Sequence, residues 1–235
     1  MNNIVIGIEG LVGAGKTSIC RRLTKLIPQA VLLNGGNLYR AIVYAMIKNG
    51  EKLENLKNEM NNVDIKKIMD FFNIEIKIEN SETNFYIDGI LAKEEELQSK
   101  EASLAVSEVG GKADNKALFE FAKNLISELK KNYNVIIAGR SIMKIYPDTD
   151  YHLFITASIE ERIKRKSIQY KGEVDIEEIR KNIIKRDDLQ EKAGFYELHN
   201  KTIILDVTDC KTVEEATDKV LEKIESLKIY NGNIN

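Results

Sequence analysis

Cysteine is scarce. Cys20 and Cys210 are the only two in 235 residues, too few for a disulfide framework, and a reducing cytosol is the simplest setting for such a chain. An excess of one charge is missing too. Lys and Arg number 35 against 37 Asp and Glu, a net charge of −2, so the charge balance argues for neither a nucleic acid nor a membrane surface as partner. No apolar run approaches the ~20 residues that span a bilayer. The start, MNNIVIGIEG, has no basic stretch ahead of a long apolar one, so no signal peptide is expected. The two histidines, His152 and His199, have no metal-like spacing and read as a strand and a loop residue. Cys20 reads as core. Repeats and low-complexity tracts are absent. The expectation is a cytoplasmic globular chain, a monomer, built as one domain or as a core carrying an insertion.

What is present is a set of short apolar runs. Residues 4–8, 30–33, 134–138, 151–155 and 202–206 read as strands of the type buried on both faces of a parallel sheet. Helical patterns lie between them: Ala117, Leu118, Phe121, Ala122, Leu125 and Leu129 share one face, as do Val213, Ala216, Val220, Leu221 and Ile224. Strands alternating with helices predict an α/β fold with helices on both faces of the sheet. Residues 34–115 break the rhythm. Ile74, Ile76 and Ile78 alternate with polar residues, as do Phe85 and Ile87 after the polar NSET, which predicts an antiparallel hairpin inside an insertion between the second and third core strands. Residues 160–195 are highly charged and predict two exposed helices.

The first run leads into GLVGAGKTS, residues 10–18. Gly10, Gly15, Lys16 and Thr17 satisfy G-x-x-x-x-G-K-[ST], the phosphate-binding loop pattern. Its glycines let successive backbone N–H groups turn inward around a polyphosphate, and the following helix adds its positive amino end. Such a loop assigns Gly10, Leu11, Val12, Gly13, Ala14, Gly15, Lys16, Thr17 and Ser18 to ATP, with Lys16 reaching the β- and γ-phosphates and the Thr17 hydroxyl on Mg²⁺. A chance match is expected in roughly one chain in a hundred of this length, and this match also sits between a buried-type strand and an amphipathic helix. A GTPase is excluded by motif: no D-x-x-G occurs, and Asn115-Lys116 and Asn200-Lys201 both lack the later Asp of N-K-x-D.

Phosphoryl transfer to a second anion needs cations from several elements. Arg40 and Arg140 follow the second and third core strands, at the carboxyl ends where open parallel sheets bind ligands. Arg162 and Arg165 lie one turn apart on a charged helix, with Arg186 opposite. The basic run 162–171 has interleaved acids and no aromatic series, which favours a phosphate-clamping or solvated helix over nucleic-acid binding.

Taken in order, GLVGAGKTS, GNLYR (36–40), IDGILAKEEELQSKEASLAVSEVG (87–110), GR (139–140), PDTDYHLFITASIEERIKRK (147–166) and KRDD (185–188) resemble the bacterial cytidylate kinase family of P-loop nucleoside monophosphate kinases over most of the chain. The resemblance implies a three-layer P-loop kinase: a core of 1–33 and 116–235, a lid within about 160–195, and a nucleoside monophosphate-binding insertion at 34–115. It implies transfer of the ATP γ-phosphate, with Mg²⁺, to a small-molecule acceptor, CMP or dCMP. It places Tyr39, Arg40, Arg140 and Arg186 at the acceptor, with Ser107 near the base. Lys16, Arg140, Arg162, Arg165 and Arg186 become the catalytic set, Arg162, Arg165 and Arg186 closing from the lid. The chain departs from the family at Asn34, Gly35, Ala138, Ser141, Gln190 and Ala193. Carboxylates are lost beside Arg140, and Glu9 is the nearest left, read equally as a structural or a metal-facing group. GRS also resembles a phrase of deoxynucleoside kinases, so a nucleoside acceptor, or nucleotide binding with little catalysis, stands as the alternative.

Overall fold

The computed structural model describes residues 3–50, 65–97 and 116–232. Ser107 lies outside the described residues. The apolar runs form the strands β1 (Val5–Gly10), β2 (Ala30–Asn34), β6 (Asn134–Ala138), β7 (Tyr151–Thr156) and β8 (Thr202–Asp206), all parallel and ordered β2-β6-β1-β7-β8. Helix α1 (Lys16–Leu26) and helix α9 (Val213–Gly232) cover one face. Ile6, Ile8, Leu32, Ile136, Leu153 and Ile155 meet Ile19, Leu23, Val220 and Ile224 there. The other face receives helix α5 (Lys116–Lys130), where Val5, Val31, Leu33, Val135 and Ile137 pack on Ile126 and Leu129. Burial on both sides is why these strands read as unbroken apolar runs rather than alternating ones.

β1 runs two residues past its apolar stretch. Its last residues, Glu9 and Gly10, pair with Phe154 and Ile155, and Glu9 is buried. A carboxylate tolerates that position only with donors around it; they are identified below. Gly10 has φ +143°, and a Cβ there would lie 2.0 Å from the Ile155 carbonyl oxygen. Gly10→Ala is therefore expected to destabilise the fold by about 3 kcal/mol or more, lowering Tm by about 6–12 °C; a melt unchanged from wild type would contradict this packing.

Between β2 and β6 the chain forms helix α2 (Gly35–Lys48), helix α3 (Ile65–Phe71), the hairpin β3 (Ile74–Glu79) and β4 (Glu82–Ile87), the short β5 (Ile90–Leu91) and helix α4 (Glu94–Leu97). Asn80 and Ser81 adopt φ +51° and +62°, the left-handed pair of a type I′ turn that matches strand twist. The hairpin does not stand apart from the core. β4 extends the sheet beside β2: Leu32 N donates to Ser81 O at 2.8 Å and Thr83 Oγ1 to Leu32 O at 3.2 Å. Its inward residues Phe85 and Ile87 join Leu38, Ala41 and Ile42 of α2 in a second apolar cluster.

The charged segment forms helix α7 (Ile159–Gln169) and helix α8 (Ile176–Lys192), after the four-residue α6 (Ile142–Ile145). Ser158 caps α7 by accepting from Glu161 N, and Asp175 caps α8 by accepting from Glu177 N and Glu178 N. The two helices share a small core of Ile163, Ile179 and Ile183, completed by Val12 of the glycine loop.

Candidate active site

The segments that follow β1, β2 and β6 leave the same end of the sheet because the strands are parallel and adjacent, and they carry Lys16 at the start of α1, Arg40 in the second turn of α2 and Arg140 in the turn before α6. The glycine loop curls through Gly13 (φ +79°) and Gly15 (φ +96°), the latter capping α1 in the left-handed region. Among the described residues, the backbone amides of Gly13, Gly15, Lys16, Thr17 and Ser18 have no hydrogen-bond partner. That is a nest of orphan donors at the positive end of an eleven-residue helix.

A backbone that turns its N–H groups inward sends carbonyls outward, and these need donors. Lys16 Nζ donates to Gly10 O (2.9 Å) and Leu11 O (2.7 Å). Arg162 Nη1 donates to Val12 O at 3.2 Å and ion-pairs Asp187, whose other oxygen accepts from Val12 N at 3.1 Å. Arg165 donates to Ala14 O (3.0 Å), Val207 O (2.8 Å) and Cys210 O (3.0 Å), and its Nε faces Glu161. The sequence points to Arg162 and Arg165 as phosphate clamps. In this conformation their guanidinium groups bond carbonyls on the outer wall of the loop. Arg162 is buried, and Arg165 has all three nitrogens engaged.

Arg140 is held from two sides. Its Nε donates to Gln190 Oε1 at 2.9 Å, with Nη2 on the same oxygen, and it stacks over the Tyr196 ring at 5.5 Å. Tyr196 in turn donates to Asp187 at 2.6 Å. Gln190 orients the guanidinium without neutralising it, since an amide oxygen accepts but carries no charge. Among the described residues Arg40 has one hydrogen bond, a long one to Asn37 Oδ1 at 3.4 Å, and its buried Nε has no partner. Arg186, exposed on α8, has none among the described residues. It borders a cavity of about 270 Å³ with Lys166, Tyr170 and Val12. Tyr39, next to Arg40, is half-buried, and burial pushes its phenol pKa up.

These cations feel one another. Burial lowers the pKa of Lys16 well below its usual value, with Arg140 and Arg186 adding to the effect. Burial and Arg186 lower Arg40, burial lowers Arg140, and burial and Arg186 lower Lys166. Positive groups gathered at a mouth and penalised for their charge form a site that gains most from an anion between them. Lys16, Arg40, Arg140 and Arg186 are thus brought together. Asp187, Gln190 and Tyr196 join them; the sequence marks Asp187 only as part of KRDD and Gln190 only as a departure from the family, and gives Tyr196 no role. A usable signal was there: Ile179, Ile183, Asp187 and Gln190 follow one another at helical spacing, so the apolar stripe of α8 continues into two polar residues facing the core.

Thr17 is half-buried at the start of α1. Among the described residues no group of three His, Cys, Asp or Glu could hold a metal ion. Glu9 is turned inward, where Oε1 accepts from Ile142 N (2.6 Å) and His152 Nε2 (3.2 Å).

Comparison with known proteins agrees with this geometry. The family model described as cytidylate kinase matches residues 6–226. The cytidylate kinase of Clostridioides difficile is 30% identical over 95% of this chain and 99% of its own length. That of Alkaliphilus oremlandii is 29% identical over 97% and 100%, and that of Caldicellulosiruptor saccharolyticus 31% over 94% and 96%. A glycine loop beside a cluster of arginines, on a chain matched over nearly its whole length by this family's model, means that the protein belongs to the cytidylate kinase family.

Proposed function

We propose that this protein transfers the γ-phosphate of ATP to CMP or dCMP, giving ADP and the nucleoside diphosphate. The observation that carries it is the opposition of two anion sites: orphan amides and Lys16 on one side, Arg40, Arg140 and Arg186 on the other. Residues 10–18 hold the triphosphate. Tyr39, Arg40, Arg140 and Arg186 receive the acceptor phosphate, and Ser107 lies near the base. Arg162 and Arg165 act on the donor side through the loop wall. The relatives' printed name, cytidylate kinase, supports a cytidine nucleotide as acceptor.

The organisation that serves this is a core of 1–33 and 116–235, an acceptor insertion at 34–115, and a lid within about 160–195 that excludes competing water on closure. Lys16 can leave the two loop carbonyls for phosphate oxygens, and Arg140 offers its remaining N–H groups to the acceptor while Gln190 holds it in place. A glycine loop that turns through Gly13 and Gly15 at positive φ and leaves the amides of Gly13 and of residues 15–18 without partners among the described residues fits ATP. One hydroxyl ligand, Thr17, fits Mg²⁺, an ion that keeps several waters and phosphate oxygens. When bound, Mg²⁺ offsets charge developing between the β- and γ-phosphates. No helix among the described residues is long and apolar enough to cross a membrane, and we place the enzyme in the cytoplasm as a monomer.

ADP release measured with CMP, dCMP, UMP, other monophosphates and free cytidine tests the reading. CMP or dCMP should give the highest kcat/KM. Preference for cytidine would move the protein to the nucleoside kinases, and no acceptor-dependent ADP with any of them would sink the proposal.

A further inference from the structure

Behind the acceptor turn lies a buried polar chain with no part in the steps above. Arg140 is followed by Ser141, which sits at φ +54° and caps α6 without a side-chain hydrogen bond. A non-glycine residue in the left-handed region persists only where its surroundings hold it. Here the hold is the next amide: Ile142 N donates to Glu9 Oε1 at 2.6 Å.

Glu9 is itself fixed by His152 Nε2 at 3.2 Å, and both side chains are 4% exposed. His152 Nδ1 meets Thr202 Oγ1 at 2.9 Å, and that oxygen accepts from His199 N at 3.0 Å. The donors and acceptors close with the ring proton on Nε2. His152 donates to the carboxylate, the Thr202 hydroxyl donates to Nδ1, and its oxygen accepts the His199 amide. The sheet also makes room for the ring. Gly7 is the strand partner of His152, and a Cβ on Gly7 would stand 2.8 Å from Ile142 Cγ2 and 3.0 Å from His152 Cδ2. A glycine amid a fully buried strand is otherwise a weakness; here it admits both groups that address Glu9.

We propose that Glu9 and His152 are positioning residues for Arg140. Glu9 pins the amide two residues beyond it, and His152, anchored on Thr202 of the edge strand β8, fixes the carboxylate that does so. The inference rests on Arg140 receiving the acceptor phosphate, as proposed above. A guanidinium whose backbone can drift loses orientation toward its anion before it loses charge, so the cost falls on the acceptor rather than on ATP.

Steady-state kinetics with CMP and ATP varied separately tests this. His152→Leu should raise the KM for CMP about tenfold and leave the KM for ATP within about twofold, the scale of a change that misses the donor contacts. His152→Gln, whose side-chain amide can still donate to Glu9, should recover most of the loss. Thr202→Val keeps a β-branched strand residue and removes only the partner of Nδ1; it should shift the CMP KM in the same direction, with Thr202→Ser near wild type, so the test survives if His152→Leu does not fold. Equal shifts in both KM values, or no difference between the conservative and non-conservative variants, would overturn the proposal. Arg140→Ala run in parallel separates the two ideas: if it leaves the CMP KM unchanged, the acceptor role of Arg140 fails, whereas a large effect there with none at His152 and Thr202 rejects the positioning chain alone.

Discussion

Lys16→Met should lower kcat by about 10²–10³-fold or more, the loss typical of removing one preorganised donor from a charge-developing centre, while the protein stays folded. The ammonium is bonded to the carbonyls of Gly10 and Leu11, and its pKa is held well below 10.5, first by burial and then by Arg140 and Arg186. Two consequences follow from that direction. Bound phosphate restores a counter-charge and raises the pKa, so ATP binding at alkaline pH should take up protons. Calorimetry in buffers of differing ionisation enthalpy reads this directly, and the uptake should vanish in Lys16→Met. For folding the sign runs the other way. Between the lowered folded pKa and 10.5 the unfolded chain binds more protons, so stability of the free enzyme rises with pH across that window; below the folded pKa the penalty is present in full. Lys16→Met should flatten that slope. Equal proton uptake by both proteins would place the shifted group elsewhere.

The second large effect is expected at Arg140. Arg140→Ala should cut kcat/KM for CMP by about 10³-fold, since a cation within the proposed acceptor site would be worth several kcal/mol where water is excluded, and should leave binding of ATP measured by calorimetry nearly unchanged. Arg140→Lys should recover little. The present guanidinium directs two nitrogens to one Gln190 oxygen, lies over the Tyr196 ring, and keeps donors to spare; a point ammonium cannot do all three. If the lysine variant were as active as wild type, the oriented-fork account would be wrong and only charge would matter.

The core strands were legible because each is buried on both faces and so leaves an unbroken apolar run, and the donor loop because its glycines serve conformations other residues avoid. Arg40 and Arg140 could be placed at the mouth from topology, whereas Arg186 was placed there only by the family resemblance. Other features were hidden for a common reason: they depend on which surfaces meet. That β4 adds to the sheet beside β2 is decided by edge pairing around Leu32, which the alternation of β3 and β4 does not encode. That Arg162 and Arg165 serve the outside of the glycine loop follows from where its carbonyls point. The pairing of Glu9 with His152 joins residues 143 positions apart, and its one trace in the sequence is Gly7, an unexpected gap in a strand otherwise built of large side chains.

Val12 sits in the glycine loop, yet it is 4% exposed and packs with Ile163, Ile179 and Ile183 of the two charged helices. The loop therefore supplies part of the hydrophobic seat on which those helices rest. Any swing of the helices must either carry Val12 along, tilting the amides on either side of it, or expose the seat to solvent. Loop and helices are in this way mechanically coupled, through the Val12 side chain and through the bonds of Arg162 and Asp187 to the Val12 backbone.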